Sequence, residues 1–193
     1  MIINTNAIVL KTFSYSETSL ISRCFTEGEG KISFIIKGAK SKKFLVTPYF
    51  QPLSYINVIY KKNINRELQI ISKVSFAQIW SKIPMSLKKM ALAQSMLEVI
   101  DYTLEENDSH PNLFKSLIKI LYYFEKGDFE ENILFWYFEC KVLSELGFMI
   151  DINDDETVNN SISLDKKSNS YFILQNLINE QLFDLKSIKI STK

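Results

Sequence analysis

The chain has 193 residues, 46% hydrophobic and 23% charged, which suits one or two globular domains. Its two cysteines, Cys24 and Cys140, and one histidine, His110, are too few for a structural zinc site of four cysteines, or of two cysteines and two histidines, and they exclude a disulfide framework. The net charge of +1 conceals a division: residues 1–80 carry eleven Lys and Arg against four Glu, a net +7, whereas residues 81–193 carry twelve Lys against eighteen Asp and Glu, a net −6. Either the first half meets a polyanion or the two halves attract each other.

The first eighty residues read as β. Ala7-Ile8-Val9-Leu10 is a short apolar run, and residues 19–26 form a second candidate strand. Ile32, Phe34 and Ile36 recur with period two, as do Ile56, Val58 and Tyr60, which places each set on one strand face. Leu68, Ile70 and Val74 suggest a fifth strand, interrupted at Ser72. Glu27-Gly28-Glu29-Gly30 and the polar stretch 61–65 supply turns. Five short strands in about eighty residues predict a small barrel.

After Pro84 the period becomes helical. Leu87, Met90, Ala91, Leu97, Ile100 and Leu104 define one stripe, and Leu113, Phe114, Leu117, Ile118 and Leu121 a second, opened by Pro111 and stopped by Gly127. A third helix is predicted over about residues 129–146, with Ile133, Trp136, Tyr137, Cys140, Leu143 and Leu146 inward and Gly147 at its C′ position. An acidic loop over 151–160, a hairpin within 161–172 and a short helix over 175–185 follow. The reading is α+β, with a barrel domain over 1–80 and a helical domain over 81–193. No apolar run reaches the ~18 residues of a membrane span. Met1 to Asn6 has neither a basic stretch nor a following apolar core, so no signal peptide is expected.

Lys37-Gly38-Ala39-Lys40-Ser41-Lys42-Lys43 is the densest basic segment. Lysine ammonium groups bind phosphates as point charges, and Phe44, Tyr49, Phe50 and Tyr55 lie close in sequence. Cations interleaved with aromatic faces suit single-strand binding; a solvated turn with core aromatics is the alternative. The two arginines, Arg23 and Arg66, either contact phosphate or pair with a glutamate such as Glu17 or Glu67. The cysteines read as small buried side chains. Asp151, Asp154, Asp155 and Glu156 lack the spacing of a calcium loop. No P-loop, dinucleotide-binding glycine pattern or HExxH is present. Nothing in the chain requires an enzyme, and any Ser-His-Asp or Cys-His chemistry would depend on His110.

These residues in order resemble the bacterial DNA repair and recombination protein RecO family. Ala7-Ile8-Val9-Leu10-Lys11, Tyr15-Ser16-Glu17-Thr18, Phe25-Thr26 and Gly30-Lys31 follow the family's opening. Lys37-Gly38-Ala39-Lys40 is similar to its KGAR-type segment, and Phe50-Gln51-Pro52-Leu53 to its LQPF element. Glu67-Leu68 matches the start of its next strand. The run from Phe138 through Glu139 and Cys140 to Gly147 and Phe148 resembles its FExRLLxxLGY helix end.

The resemblance implies an N-terminal OB-fold and a C-terminal helical domain. It implies a protein of the bacterial cytoplasm and nucleoid that binds single- and double-stranded DNA and anneals strands. Its partners would be RecR, RecA and single-strand-binding protein, with no cofactor and no conventional catalysis. DNA contacts are expected from Arg23, Lys37, Lys40, Lys42, Lys43 and Arg66. An acidic partner peptide is expected at Lys141, Leu143 and Phe148; a solvated helix lysine is the alternative for Lys141. Residues 149–170 contain no cysteine, so the zinc site that many members carry there is not expected. Tyr137 stands where many members have arginine, and the last part of the family's helical domain is expected to be shortened. Two further readings remain: a protein-interaction adaptor with weak or no DNA binding, and an OB-fold RNA binder.

Overall fold

The computed structural model describes residues 1–40, 46–127 and 129–148. Five strands, β1 (Ile2–Ser14), β2 (Leu20–Thr26), β3 (Gly30–Ile36), β4 (Tyr55–Lys61) and β5 (Leu68–Gln78), close into a barrel in the order β1-β2-β3-β5-β4. Neighbours are antiparallel except β3 and β5, which run parallel with Ser33 opposite Leu68 and Ile35 opposite Ile70. Ile32, Phe34 and Ile36 point inward with Ile56, Val58 and Tyr60, joined by Ala7, Val9, Leu20 and Cys24. Fully burying each larger apolar side chain contributes about 1.5–3 kcal/mol. Phe34 and Tyr60 meet edge to face, 5.1 Å between centroids.

Two strands depart from the sequence expectation. β1 extends well beyond its apolar run because Asn4 and Asn6 alternate outward with inward Ile3 and Ala7 along its pairing to β4. In β5, Leu68 and Ile70 face outward, and the inward positions are Gln69, Ile71 and Val74, opposite Phe34, Tyr60 and Val58. A register break opposite Ile59 and Tyr60 shifts the phase, so Leu68, Ile70 and Val74 do not share a face. Between β3 and β4, a 3₁₀ turn at Thr47–Phe50 packs Phe50 into the core and lays Tyr49 against Phe76, 4.4 Å between centroids.

Three helices follow: α1 (Leu87–Thr103), α2 (Pro111–Lys126) and α3 (Glu131–Glu145). Ser86 caps α1 by accepting from the Lys89 amide. Its buried face is Ala93, Met96, Leu97, Ile100 and Asp101. Leu87, predicted inward, is 88% exposed, because six residues, roughly 240° of helical rotation, separate it from Ala93. In α3, Ile133, Tyr137 and Cys140 are buried as expected, but Leu134, Phe138 and Val142 take the remaining inward positions, and Leu143 and Leu146 are exposed. The helix is apolar around most of its circumference, so spacing alone does not select a face. The chain forms two compact units, Met1–Lys115 and Ser116–Lys193. The first holds the barrel, α1 and the start of α2. The expected acidic loop, second hairpin and final helix lie outside the described residues.

Candidate nucleic-acid interface

Alternation along β2 and β3 sends Arg23, Phe25, Lys31 and Ser33 to the outside of the barrel, yet Phe25, Lys31 and Ser33 are buried. They are covered by the segment running from the end of α1 to the start of α2. Asp101 takes the Arg23 guanidinium at 3.0 Å and Lys11 Nζ at 2.5 Å, and Lys31 Nζ donates to the Asp101 carbonyl at 2.5 Å. Arg23 Nε also lies 3.7 Å from Glu106. Phe25 meets Phe114 edge to face at 5.5 Å. Farther along, the Asn107 amide donates to the Lys31 carbonyl at 3.0 Å, and Ser109 Oγ donates to the Gly28 carbonyl at 2.8 Å.

Charge at this seam follows from burial. Burial opposes ionisation of Asp101, but hydrogen bonds from Lys11 and Arg23 outweigh it and hold its pKa below the ordinary value. Burial lowers the Lys31 pKa, which Asp101 only partly offsets. Beside the seam a cleft of about 270 Å³ opens between β1 and α1. Its charged lining, Lys11, Glu98 and Asp101, includes two carboxylates, which repel phosphate.

The basic segment begins at the end of β3. Lys37 and Lys40 are exposed, and Gly38 adopts φ +69°, where a side chain is disfavoured. The Lys40 amide donates to the Thr18 carbonyl and its Nζ to the Ser16 carbonyl, each at 3.2 Å. This ties the segment to the β1–β2 loop. Lys42 and Lys43 lie outside the described residues. Of the neighbouring aromatics, Phe44 lies outside the described residues and the other three serve packing: Phe50 is buried, Tyr49 lies on Phe76, and Tyr55 stacks on Trp80 at 6.2 Å and 10°.

Arg66 is exposed in the β4–β5 loop. Buried Gln69 organises this loop: its amide donates to the Asn63 carbonyl at 2.9 Å and the Arg66 carbonyl at 2.6 Å, while its oxygen accepts from the Asn63 amide at 2.9 Å. Lys62 pairs with Glu29 here, so the loop sits at the opposite end of β3 from Lys37. Arg66 and Lys37 therefore do not cluster. Sequence reasoning missed Lys61 and Lys73, which share the outward face of β4 and β5. The alternation of Ile56, Val58 and Tyr60 implied Lys61; the register break concealed Lys73.

In the second unit, α3 ends in a Schellman motif. The Phe148 amide donates to the Leu143 carbonyl at 2.9 Å and the Gly147 amide to the Ser144 carbonyl at 3.1 Å, with Gly147 at φ +85°. The motif brings the backbones of Leu143 and Phe148 together, and both side chains are exposed, Phe148 by 62%. Lys141 Nζ lies 5.4 Å from the Tyr137 ring centroid.

Burial pushes both thiols, Cys24 and Cys140, up to about 12, and both are free. His110 Nε2 lies 3.1 Å from Asp108. Among the described residues, no three His, Cys, Asp or Glu gather in a way that could hold a metal ion, and no helix is long and apolar enough to cross a membrane.

A closed barrel of this strand order followed by helices defines an OB-fold protein with an appended helical region. Residues 1–80 match the family model described as recombination protein O N terminal, and residues 85–186 match recombination protein O C terminal. The chain belongs to the RecO family. It is 28% identical to the DNA repair protein RecO of Salinibacter ruber over 146 residues, covering 76% of this chain and 56% of the relative. Identity to the DNA repair protein RecO of Chloroherpeton thalassium is 27% over 163 residues, covering 84% of this chain and 63% of the relative. For that of Alkaliphilus metalliredigens it is 29% over 147 residues, covering 76% and 59%. The chain thus spans less than two thirds of the length of these curated relatives.

Proposed function

We propose that this chain acts in recombinational DNA repair as a non-enzymatic mediator. Its barrel, residues 1–80, binds single- and double-stranded DNA and anneals complementary strands. With RecR it helps load RecA onto strands coated by single-strand-binding protein. The observation that carries this reading is the exposed cationic rim of an OB barrel. Among the described residues, neither Lys37 nor Lys40 is ion-paired; Lys40 Nζ gives one hydrogen bond to the Ser16 carbonyl and keeps two N–H donors for phosphate. Lys42 and Lys43 extend the positive run in sequence. Arg66 adds a cation at the far end of β3. Arg23 already holds two carboxylates, so its contribution to DNA is smaller than its position suggests. The helical region, with Lys141, Leu143 and Phe148, takes the acidic peptide of single-strand-binding protein. The setting is the bacterial cytoplasm and nucleoid.

One observation favours the alternative of a protein-interaction adaptor: the outer β2–β3 face, which binds oligonucleotides in many OB-folds, is covered. Titration of labelled single-stranded DNA at several salt concentrations separates the readings. A mediator binds with an affinity that falls steeply with salt; an adaptor shows no saturable binding.

A further inference from the structure

If the outer β2–β3 face is closed by the chain's own segment from Asp101 to Phe114, a strand held at the Lys37 rim must leave along another surface. Barrel geometry offers one. On β4, the inward residues Ile56, Val58 and Tyr60 put Asn57, Ile59 and Lys61 outward. On β5, Lys73 pairs with Ile59 and Ser75 with Asn57, so both face outward too. Lys61, Lys73 and Ser75 are exposed, and Asn57 and Ile59 half-buried.

The parallel register joins this face to the basic rim. Ile35 lies opposite Ile70; Lys37 is two residues beyond Ile35, and Lys73 three beyond Ile70. The end of β3 therefore runs beside the part of β5 that carries Lys73. Lys61 lies two residues along β4 from Ile59, the partner of Lys73. Lys37, Lys73 and Lys61 thus form a diagonal line of cations across β3, β5 and β4. Among the described residues, none of the three is ion-paired. Polar Asn57 and Ser75 and the apolar surfaces of Ile59 and Ile70 lie along the same face. Glu67 is the one acid in the β4–β5 stretch from Tyr55 to Gln78, and it precedes the β5 strand.

We infer that single-stranded DNA runs from the Lys37 rim across the outward β4–β5 face, with Lys73 and Lys61 holding its phosphates, and not over β2–β3. The inference rests on the DNA-binding reading above and adds the path. Charge decides the occupant: three unpaired ammonium groups in line suit the regular phosphates of a polynucleotide.

The test uses the full chain and a fluorescein-labelled oligothymidylate titrated between 50 and 200 mM salt. Each phosphate contact on a single strand contributes roughly 0.7 to the log–log salt slope. The Lys61→Gln/Lys73→Gln variant should lose about 1.4 from that slope with an unchanged melting temperature, since neither side chain is ion-paired. The control Lys115→Gln, an exposed lysine on α2, should leave the slope unaltered. Failure of the wild-type chain to bind removes the underlying DNA-binding reading. Wild-type binding with an unchanged slope in Lys61→Gln/Lys73→Gln overturns the path alone. Flattening by Lys115→Gln of half that seen in the double variant, the share its single charge would carry, also overturns it, because the slope would then follow net charge and not position.

Discussion

The guanidinium of Arg23 donates to the Asp101 carboxylate at 3.0 Å, pinning the outside of β2 to the last turn of α1. A strand position that sequence alternation offers to DNA is thereby used to hold the helix on the barrel. Asp101 is the hub, because Lys11 and Lys31 reach it as well. Part of the opposite charge of the two halves is spent at this seam.

Replacing Asp101 with Asn should destabilise the protein by about 3 kcal/mol, since buried Lys31 and half-buried Arg23 lose their counter-charge. The pH dependence has a definite sign. The Asp101 pKa is lowered in the folded state from its ordinary 3.8, so its stabilisation is present above that value and is lost as pH falls through the lower folded value. Urea unfolding at pH 7 and below pH 3.8 should show the wild type losing stability and Asp101→Asn losing less. Parallel loss in both proteins would place the acid sensitivity elsewhere.

Gly30 combines φ +72° with a close approach: a Cβ there would lie 1.9 Å from the Asp108 carbonyl oxygen. Gly30→Ala must therefore displace the backbone of the loop before α2 as well as adopt a disfavoured conformation. It should cost about 2 kcal/mol or more, against almost nothing for Gly28→Ala, where no atom lies within 4 Å. Thermal melts of the two variants provide the comparison; equal effects would mean that the loop does not rest on Gly30.

Tyr60 is fully buried, and its hydroxyl has no hydrogen-bond partner among the described residues. Burial pushes its pKa up to about 12. Removing an unsatisfied buried hydroxyl relieves a desolvation cost, so Tyr60→Phe should leave stability unchanged or raise it by about 1 kcal/mol. Denaturant unfolding showing a loss above that size would reveal a partner for the hydroxyl.

The barrel was legible because Ile32, Phe34, Ile36, Ile56, Val58 and Tyr60 announce their inward face by strict alternation. β5 was not, because one extra residue in its register reverses the face between Ile70 and Val74. The helix ends at Pro111, Gly127 and Gly147 were written in conformational chemistry that acts locally. The seam at Asp101 was invisible, since it joins residues some eighty positions apart, and a buried aspartate in an apolar stripe gives no signal before its cations are placed. The same holds for the β4–β5 face, whose lysines are unremarkable until the covering of β2–β3 leaves them as the open side of the barrel.

For the helical region, Lys141→Glu should weaken binding of an acidic, phenylalanine-terminated peptide by about tenfold while single-stranded DNA binding is retained, since charge at the edge of an apolar site governs recognition. Fluorescence anisotropy with the labelled peptide measures this. Unchanged peptide affinity in the folded variant removes Lys141 from the site, and loss of DNA binding instead would show that the roles are not divided between barrel and helices.

The basic rim of the barrel is proposed to hold DNA through its phosphates. The most direct measurement is the salt dependence of single-stranded DNA binding for Lys37→Ala/Lys40→Ala/Lys42→Ala/Lys43→Ala beside the wild type. Four contacts removed at roughly 0.7 each should flatten the log–log slope by nearly 3 and weaken binding to unrelated sequences alike. An affinity and slope equal to those of the wild type would remove the basic rim as the site that holds DNA.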